Sequence, residues 1–120
     1  MSNRDPRAQL PLTAVVLHIL LAVADGERHG YAIAAEIESA THGEIRAGPG
    51  TLYGSIQRML DAGLIEEVAK KKRDADDDER RRYYRATPFG RRVRALEIER
   101  LEQILQLARA KGVLRGSEIA

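Results

Sequence analysis

Six residues between positions 51 and 58 have types and spacing that suit chemistry: Thr51, Tyr53, Gly54, Ser55, Gln57 and Arg58. The Gln57 amide both donates and accepts, which fits the N6 and N7 edge of adenine, and Arg58 carries a fork of donors suited to guanine or a phosphate. Thr51, Tyr53 and Ser55 bear hydroxyls for phosphate oxygens near a helix N-terminus, where free N–H groups also face anions. Gly54 costs a helix about 1 kcal/mol against alanine; its missing side chain lets a phosphate backbone come close. A second set is basic. Lys70, Lys71, Lys72 and Arg73 stand before the acidic run Asp74 to Glu79, and Arg80, Arg81 and Arg82 stand after it. Each cation that neutralises a phosphate steepens the log–log salt dependence of duplex binding by about 0.9.

Other chemistries are poorly supplied. The chain has no cysteine, which excludes disulfides, thiolate catalysis and Cys-based zinc sites and makes a reducing interior the natural compartment. No Gly-rich phosphate loop followed by Lys and Ser or Thr is present, nor a nucleophile elbow or a His–carboxylate pairing, so no enzyme is expected. His18, His29 and His42 lack i,i+4 pairing and a carboxylate cluster at metal spacing, so neither metal nor cofactor is expected. His29 and Tyr31 are read as structural, the first hydrogen-bonding at a helix start and the second packing. With 4% aromatics, no Trp and one Phe, stacking of single-stranded bases has little to work with.

The elements that must position these residues follow from periodicity. The 120 residues suffice for one domain, and 43% hydrophobic content suffices for its core. Residues 1–11 read as a flexible N-terminal arm. A first helix, capped by Thr13, carries Val16, Ile19, Leu20 and Val23 at helical spacing and stops at Asp25-Gly26. The apolar stretch from Ala14 to Ala24 is too short to span a bilayer and is interrupted by His18. Met1 to Leu10 lacks the apolar core of a signal peptide, so a soluble cytoplasmic protein without a membrane partner is expected.

A second helix runs from Gly30 to about Thr41 and breaks at His42-Gly43. A third opens after Gly48 with Pro49 in its first turn, buries Leu52, Ile56, Met59 and Leu60 on one stripe, and closes at Gly63. The opposite face shows Thr51, Gly54, Gln57, Arg58 and Asp61, with Tyr53 and Ser55 on the flanks. Residues 64–69 and 82–86 then read as two antiparallel strands joined by the charged loop 70–81. Thr87 caps and Pro88 opens a last helix reaching about Lys111. Its stripe Ile98, Leu101, Ile104, Leu105 and Ala108 needs covering, by folding back on the first helix, by a second copy, or both.

The fold class is therefore mainly α with a small β hairpin, a winged helix-turn-helix at 12–86 followed by a long C-terminal helix and tail at 87–120. His29-Gly30-Tyr31, Gly50-Thr51-Leu52-Tyr53, Gly63-Leu64-Ile65, Arg82-Tyr83-Tyr84 and Thr87-Pro88-Phe89-Gly90, in this order and spacing, resemble the PadR family of bacterial transcriptional regulators, in its short subgroup. The resemblance implies a homodimer held by the C-terminal helix and repression from a pseudo-palindromic operator on double-stranded DNA. It implies too, for some members, release by a small aromatic ligand acting as inducer. The acidic run departs from a family wing, since acid repels phosphate. With a net charge of only +2, it supports the alternative of a winged-helix module that binds protein rather than specific DNA.

Overall fold

A computed structural model describes residues 4–46, 48–68 and 82–114. Among them are α1 (Ala14–Ala22), β1 (Arg28–His29), α2 (Gly30–Ala40), α3 (Pro49–Asp61), β2 (Ile65–Val68), β3 (Tyr83–Ala86) and α4 (Pro88–Ala110). Lys70, Lys71, Lys72, Arg73, Arg80 and Arg81, with the acidic run between them, lie outside the described residues.

Helix α1 starts where Thr13 accepts a hydrogen bond from the Val16 N–H, at 3.2 Å. It buries Ile19, Leu20 and Ala22 at the centre of the core, beside Ile33 and Ile37 of α2 and Leu52, Ile56 and Met59 of α3. It ends at Ala22, two residues short of the expected Ala24. Two guanidinium groups satisfy carbonyls there: Arg28 Nε donates to Ala22 O and Arg94 donates to Leu20 O, each at 2.8 Å. Cations at that end also complement the helix dipole.

Gly63 lies in the left-handed region, φ +75°, just past the Ala62 cap of α3. The Gly63 N–H donates to Leu60 O and the Leu64 N–H to Met59 O, the paired bonds of a Schellman stop. The chain then enters β2. The sheet has order β1–β3–β2, all antiparallel, with Ile65 opposite Ala86 and Val68 opposite Tyr83. Ile65, Tyr84 and Ala86 join the core. The two-residue strand β1, pairing Arg28 with Tyr84 and His29 with Tyr83, was not anticipated, because two residues carry no periodic signal.

Helix α4 begins on a backbone junction. Thr87 donates its N–H to Leu64 O at 3.1 Å and its hydroxyl to Gly63 O at 2.5 Å, and that hydroxyl accepts from Gly90 N. A methyl group on Gly90 would overlap the Leu64 carbonyl, so here contact rather than backbone freedom requires glycine. Val93 and Glu97 are buried against the body; beyond Glu97 no described residue of α4 is buried.

The expected loose arm is in fact packed over its described part. Residues Pro6–Gln9 form one 3-10 turn capped by Asp5. The Arg4 guanidinium lies 4.4 Å over the Phe89 ring and touches Gly63, while Leu10 and Leu12 pack on the core. Nothing periodic in residues 4–12 signals this, since the contacts are made one residue at a time to distant parts of the chain.

Candidate nucleic-acid interface

Helix α3 presents the face that its sequence implies. Thr51, Tyr53, Gln57, Arg58 and Asp61 are exposed and Gly54 is half-buried, while Leu52, Ile56 and Met59 face the core. No side chain caps its start at Gly48, which leaves first-turn N–H groups for an external acceptor. Gln57 donates to Asp61 at 3.0 Å and must exchange that bond to read a base edge. Arg58 is exposed and donates to the Ser55 hydroxyl at 3.1 Å.

Ser55 is placed differently from its expected flank. It is 2% exposed, on the core side of α3, so it steadies Arg58 instead of meeting a phosphate. Ser55 stands three residues after Leu52 and four before Met59, so helical spacing puts it on the buried stripe, and only its polar type set it on the flank.

The start of α2 is built to receive α3. The His29 Nδ1 accepts from the Ala32 N–H at 3.1 Å and caps α2, the structural role expected of it. A Cβ on Gly30 would stand 2.6 Å from the Tyr53 hydroxyl and 2.9 Å from two of its ring carbons, so the phenol is seated on the glycine. Tyr53 nevertheless remains 49% exposed, with one side against α2 and the other free. Tyr31, expected to pack, is 74% exposed. Its ring lies 6.4 Å from that of His29, nearly parallel, at the rim of a half-open cavity of about 440 Å³. Tyr53, Gln57 and Tyr84 also line this cavity, with Ile56 and Leu60 beneath. Burial, assisted by Glu67 and Tyr53, raises the Tyr84 phenol above its ordinary value, so it stays protonated at neutral pH.

The strands that lead toward the charged loop carry paired charges. Arg85 bonds Glu66 at 2.8 Å and Arg82 meets Glu67 at 3.5 Å, both solvent-exposed. Exposed pairs of this kind contribute about 0–1 kcal/mol each to stability. Their main effect is to neutralise the root of the wing.

On α4, Ile98, Leu101, Ile104 and Leu105 are 40–50% exposed and Ala108 is half-buried. Just before this stripe stands a residue that sequence reasoning missed. Glu97 is 1% exposed and binds Arg100 through two hydrogen bonds, of 2.6 and 3.0 Å. It also accepts from the Leu12 N–H at 3.0 Å. The Arg100 guanidinium, helped by that N–H, holds the carboxyl below the ordinary glutamate value although burial acts the other way. An i,i+3 Glu–Arg pair is visible in the sequence; its burial is not. Among the described residues, no three His, Asp or Glu side chains are grouped to hold a metal ion, and no helix is long and apolar enough to cross a membrane.

Comparison with known proteins bears on this geometry. Residues 16–96 match the family described as the transcriptional regulator PadR-like family. The transcriptional regulator Rv3488 of Mycobacterium tuberculosis is 40% identical over 103 residues, covering 86% of this chain and 85% of that protein. An uncharacterized 37.1 kDa protein in transposon TN4556 of Streptomyces fradiae is 43% identical over 53 residues; these cover 44% of this chain and 15% of that protein. A transcriptional regulator from Clostridium thermocellum superposes with a TM-score of 0.65 at 26% identity, over 80% of this chain and 90% of that one. Bacillus subtilis PadR, in complex with operator DNA, superposes at 0.56 and 20% identity, over 68% of this chain and 45% of that one, and shows the shared fold.

Proposed function

Because the chain belongs to the PadR-like family of transcriptional regulators, and is therefore not an enzyme, we propose that it binds a pseudo-palindromic operator in double-stranded DNA as a homodimer and represses transcription there. The observation that carries this reading is α3. It is a helix with its apolar stripe buried and with Gln57 and Arg58 exposed between an uncapped N-terminus and the wing. Such a helix fits the major groove, with Gln57 and Arg58 reaching base edges. Thr51 and Tyr53 lie toward the phosphates, and Gly54 permits close approach.

The operator complex of Bacillus subtilis PadR supports this docking as a precedent on the same fold. Residues 12–86 form the DNA-binding unit and 87–120 the dimerisation helix and tail. A second copy covers Ile98, Leu101, Ile104, Leu105 and Ala108, and it sets two recognition helices about 34 Å apart, one turn of DNA. The basic runs Lys70 to Arg73 and Arg80 to Arg81 add phosphate contacts. Release by a small aromatic ligand, which the resemblance implies for some members of the family, is part of this reading. The tyrosine-lined cavity beside α3 offers that ligand a place where it and DNA would compete.

The test is fluorescence anisotropy of labelled operator with parent, Gln57→Ala, Arg58→Ala and Leu101→Glu proteins. Weakened binding by the first two and a monomeric, weakly binding third are expected. Unchanged affinity in Gln57→Ala and Arg58→Ala would remove α3 from the interface. Failure of the parent to prefer any sequence would favour a protein-binding module, for which the neutralised wing root is the supporting feature.

A further inference from the structure

Helix α4 is anchored over its first ten residues and exposed along most of the rest. Gly90 and Val93 are buried, Arg94 donates to Leu20 O of α1, and Glu97 is the last buried residue before the exposed stripe. The carboxylate of Glu97 is held from two directions: Arg100 reaches it from the next turn of α4, and the Leu12 N–H reaches it from the N-terminal segment. That same segment touches Gly63 at the exit of α3 through Arg4, whose guanidinium also stacks on Phe89 in the first turn of α4. One short stretch, residues 4–12, thus spans from the end of the recognition helix to the point where α4 leaves the body.

An apolar side chain at position 97 would fill this space without the cost of dehydrating a charge, so the ion pair is weak evidence for added stability. What it supplies is direction. The two Arg100 bonds lie within α4 and hold the carboxylate in one rotamer, and the Leu12 N–H bond, which crosses to the N-terminal segment, then ties that fixed carboxylate to one spot, whereas apolar contacts admit sliding.

We infer that Glu97, bound to Arg100 and to the Leu12 N–H, is a positioning residue that fixes the angle at which α4 leaves the DNA-binding unit, and thereby the separation of the two recognition helices. The inference rests on the dimeric reading above. Residues 98–110 make a lever of about 20 Å at 1.5 Å per residue. A rotation of about 10° at its base displaces the far end by about 3 Å, close to the 3.4 Å step between base pairs. In a dimer joined through these levers, such a displacement changes the half-site spacing that the protein accepts.

The chain contains no cysteine, so Ser39→Cys on the exposed end of α2 gives one spin-label site per copy. Pulsed electron–electron dipolar spectroscopy on the labelled full-length protein reads the distance between the two copies. The expected result is one narrow distance in the parent and a shift of about 3 Å, one base-pair step, or a clear broadening in Glu97→Gln and Arg100→Met. Their mass by sedimentation and their cooperative melting would be retained. DNA selected by these variants from a library of variable half-site spacing would lose the parent's single preferred spacing.

Arg100 is partly exposed, so Arg100→Met carries the test if Glu97→Gln does not fold. Folded, dimeric variants with the parent's narrow distance and spacing preference would overturn the inference and leave the proposed function standing. A parent that sediments as a monomer would overturn the dimeric reading, and this inference with it.

Discussion

Replacing Gly90 with alanine sets local propensity against packing. Alanine in place of glycine inside a helix is worth about 1 kcal/mol, which by itself would stabilise α4. At this position the new methyl overlaps the Leu64 carbonyl, a backbone group that Thr87 N holds at 3.1 Å and that no rotamer change can move. Overpacking costs about 1–3 kcal/mol, and an immovable obstacle puts this case at the upper end. Displacing α4 also stretches the Thr87 bonds to Gly63 and Leu64, worth about 1 kcal/mol each at most. The net expectation is a loss of about 2–3 kcal/mol. At about 4 °C per kcal/mol for a chain of this size, Tm falls by about 10 °C. Circular dichroism melts at one fixed protein concentration measure it, since coupling to association makes Tm concentration-dependent. A Gly90→Ala protein that melts at or above the parent would refute the reasoning, because propensity would then have outweighed the contact.

Gly54→Ala should do the reverse: the added Cβ meets only the Arg58 guanidinium, at 3.5 Å, so α3 gains up to about 1 kcal/mol. Its Tm should rise while affinity for the operator falls, and loss of stability would contradict the open space seen there. Arg58→Ala should weaken operator binding and leave its log–log salt slope, measured by anisotropy from low to moderate salt, nearly unchanged, since Arg58 reads a base edge; a slope lower by about 0.9 per protomer would instead place Arg58 on a phosphate. Glu97 is held below its ordinary pKa of 4.5, so its contribution to stability is complete above that value and is lost as pH falls through the lowered folded value. Between pH 7 and pH 3 the Tm of Glu97→Gln should therefore fall less than that of the parent, and equal falls would remove Glu97 from the acid transition.

Where local chemistry decides, the sequence was legible. Thr13 and Thr87 cap the helices assigned to them, Pro88 opens α4, and Gly63 stops α3, because each role depends on neighbours within four residues. The exposed face of α3 was legible for the same reason, since helical period alone separates Gln57 and Arg58 from Ile56 and Met59. What could not be read depends on distant contacts. The seat of Tyr53 on Gly30 joins residues 23 positions apart, and the Leu12 bond to Glu97 joins residues 85 apart. Tyr31 looked like a packing residue because its type is often buried, yet it faces solvent at a cavity rim. Ser55 was legible by spacing, three residues from Leu52 and four from Met59, and was set on the flank only by its polar type.

Selection of fragmented genomic DNA by the purified protein at near-physiological salt tests the central claim most directly. The account predicts enrichment of one or a few promoter fragments sharing an inverted repeat, with half-sites about one helical turn apart. Recovery of no fragments, or of fragments without a shared motif, would contradict it.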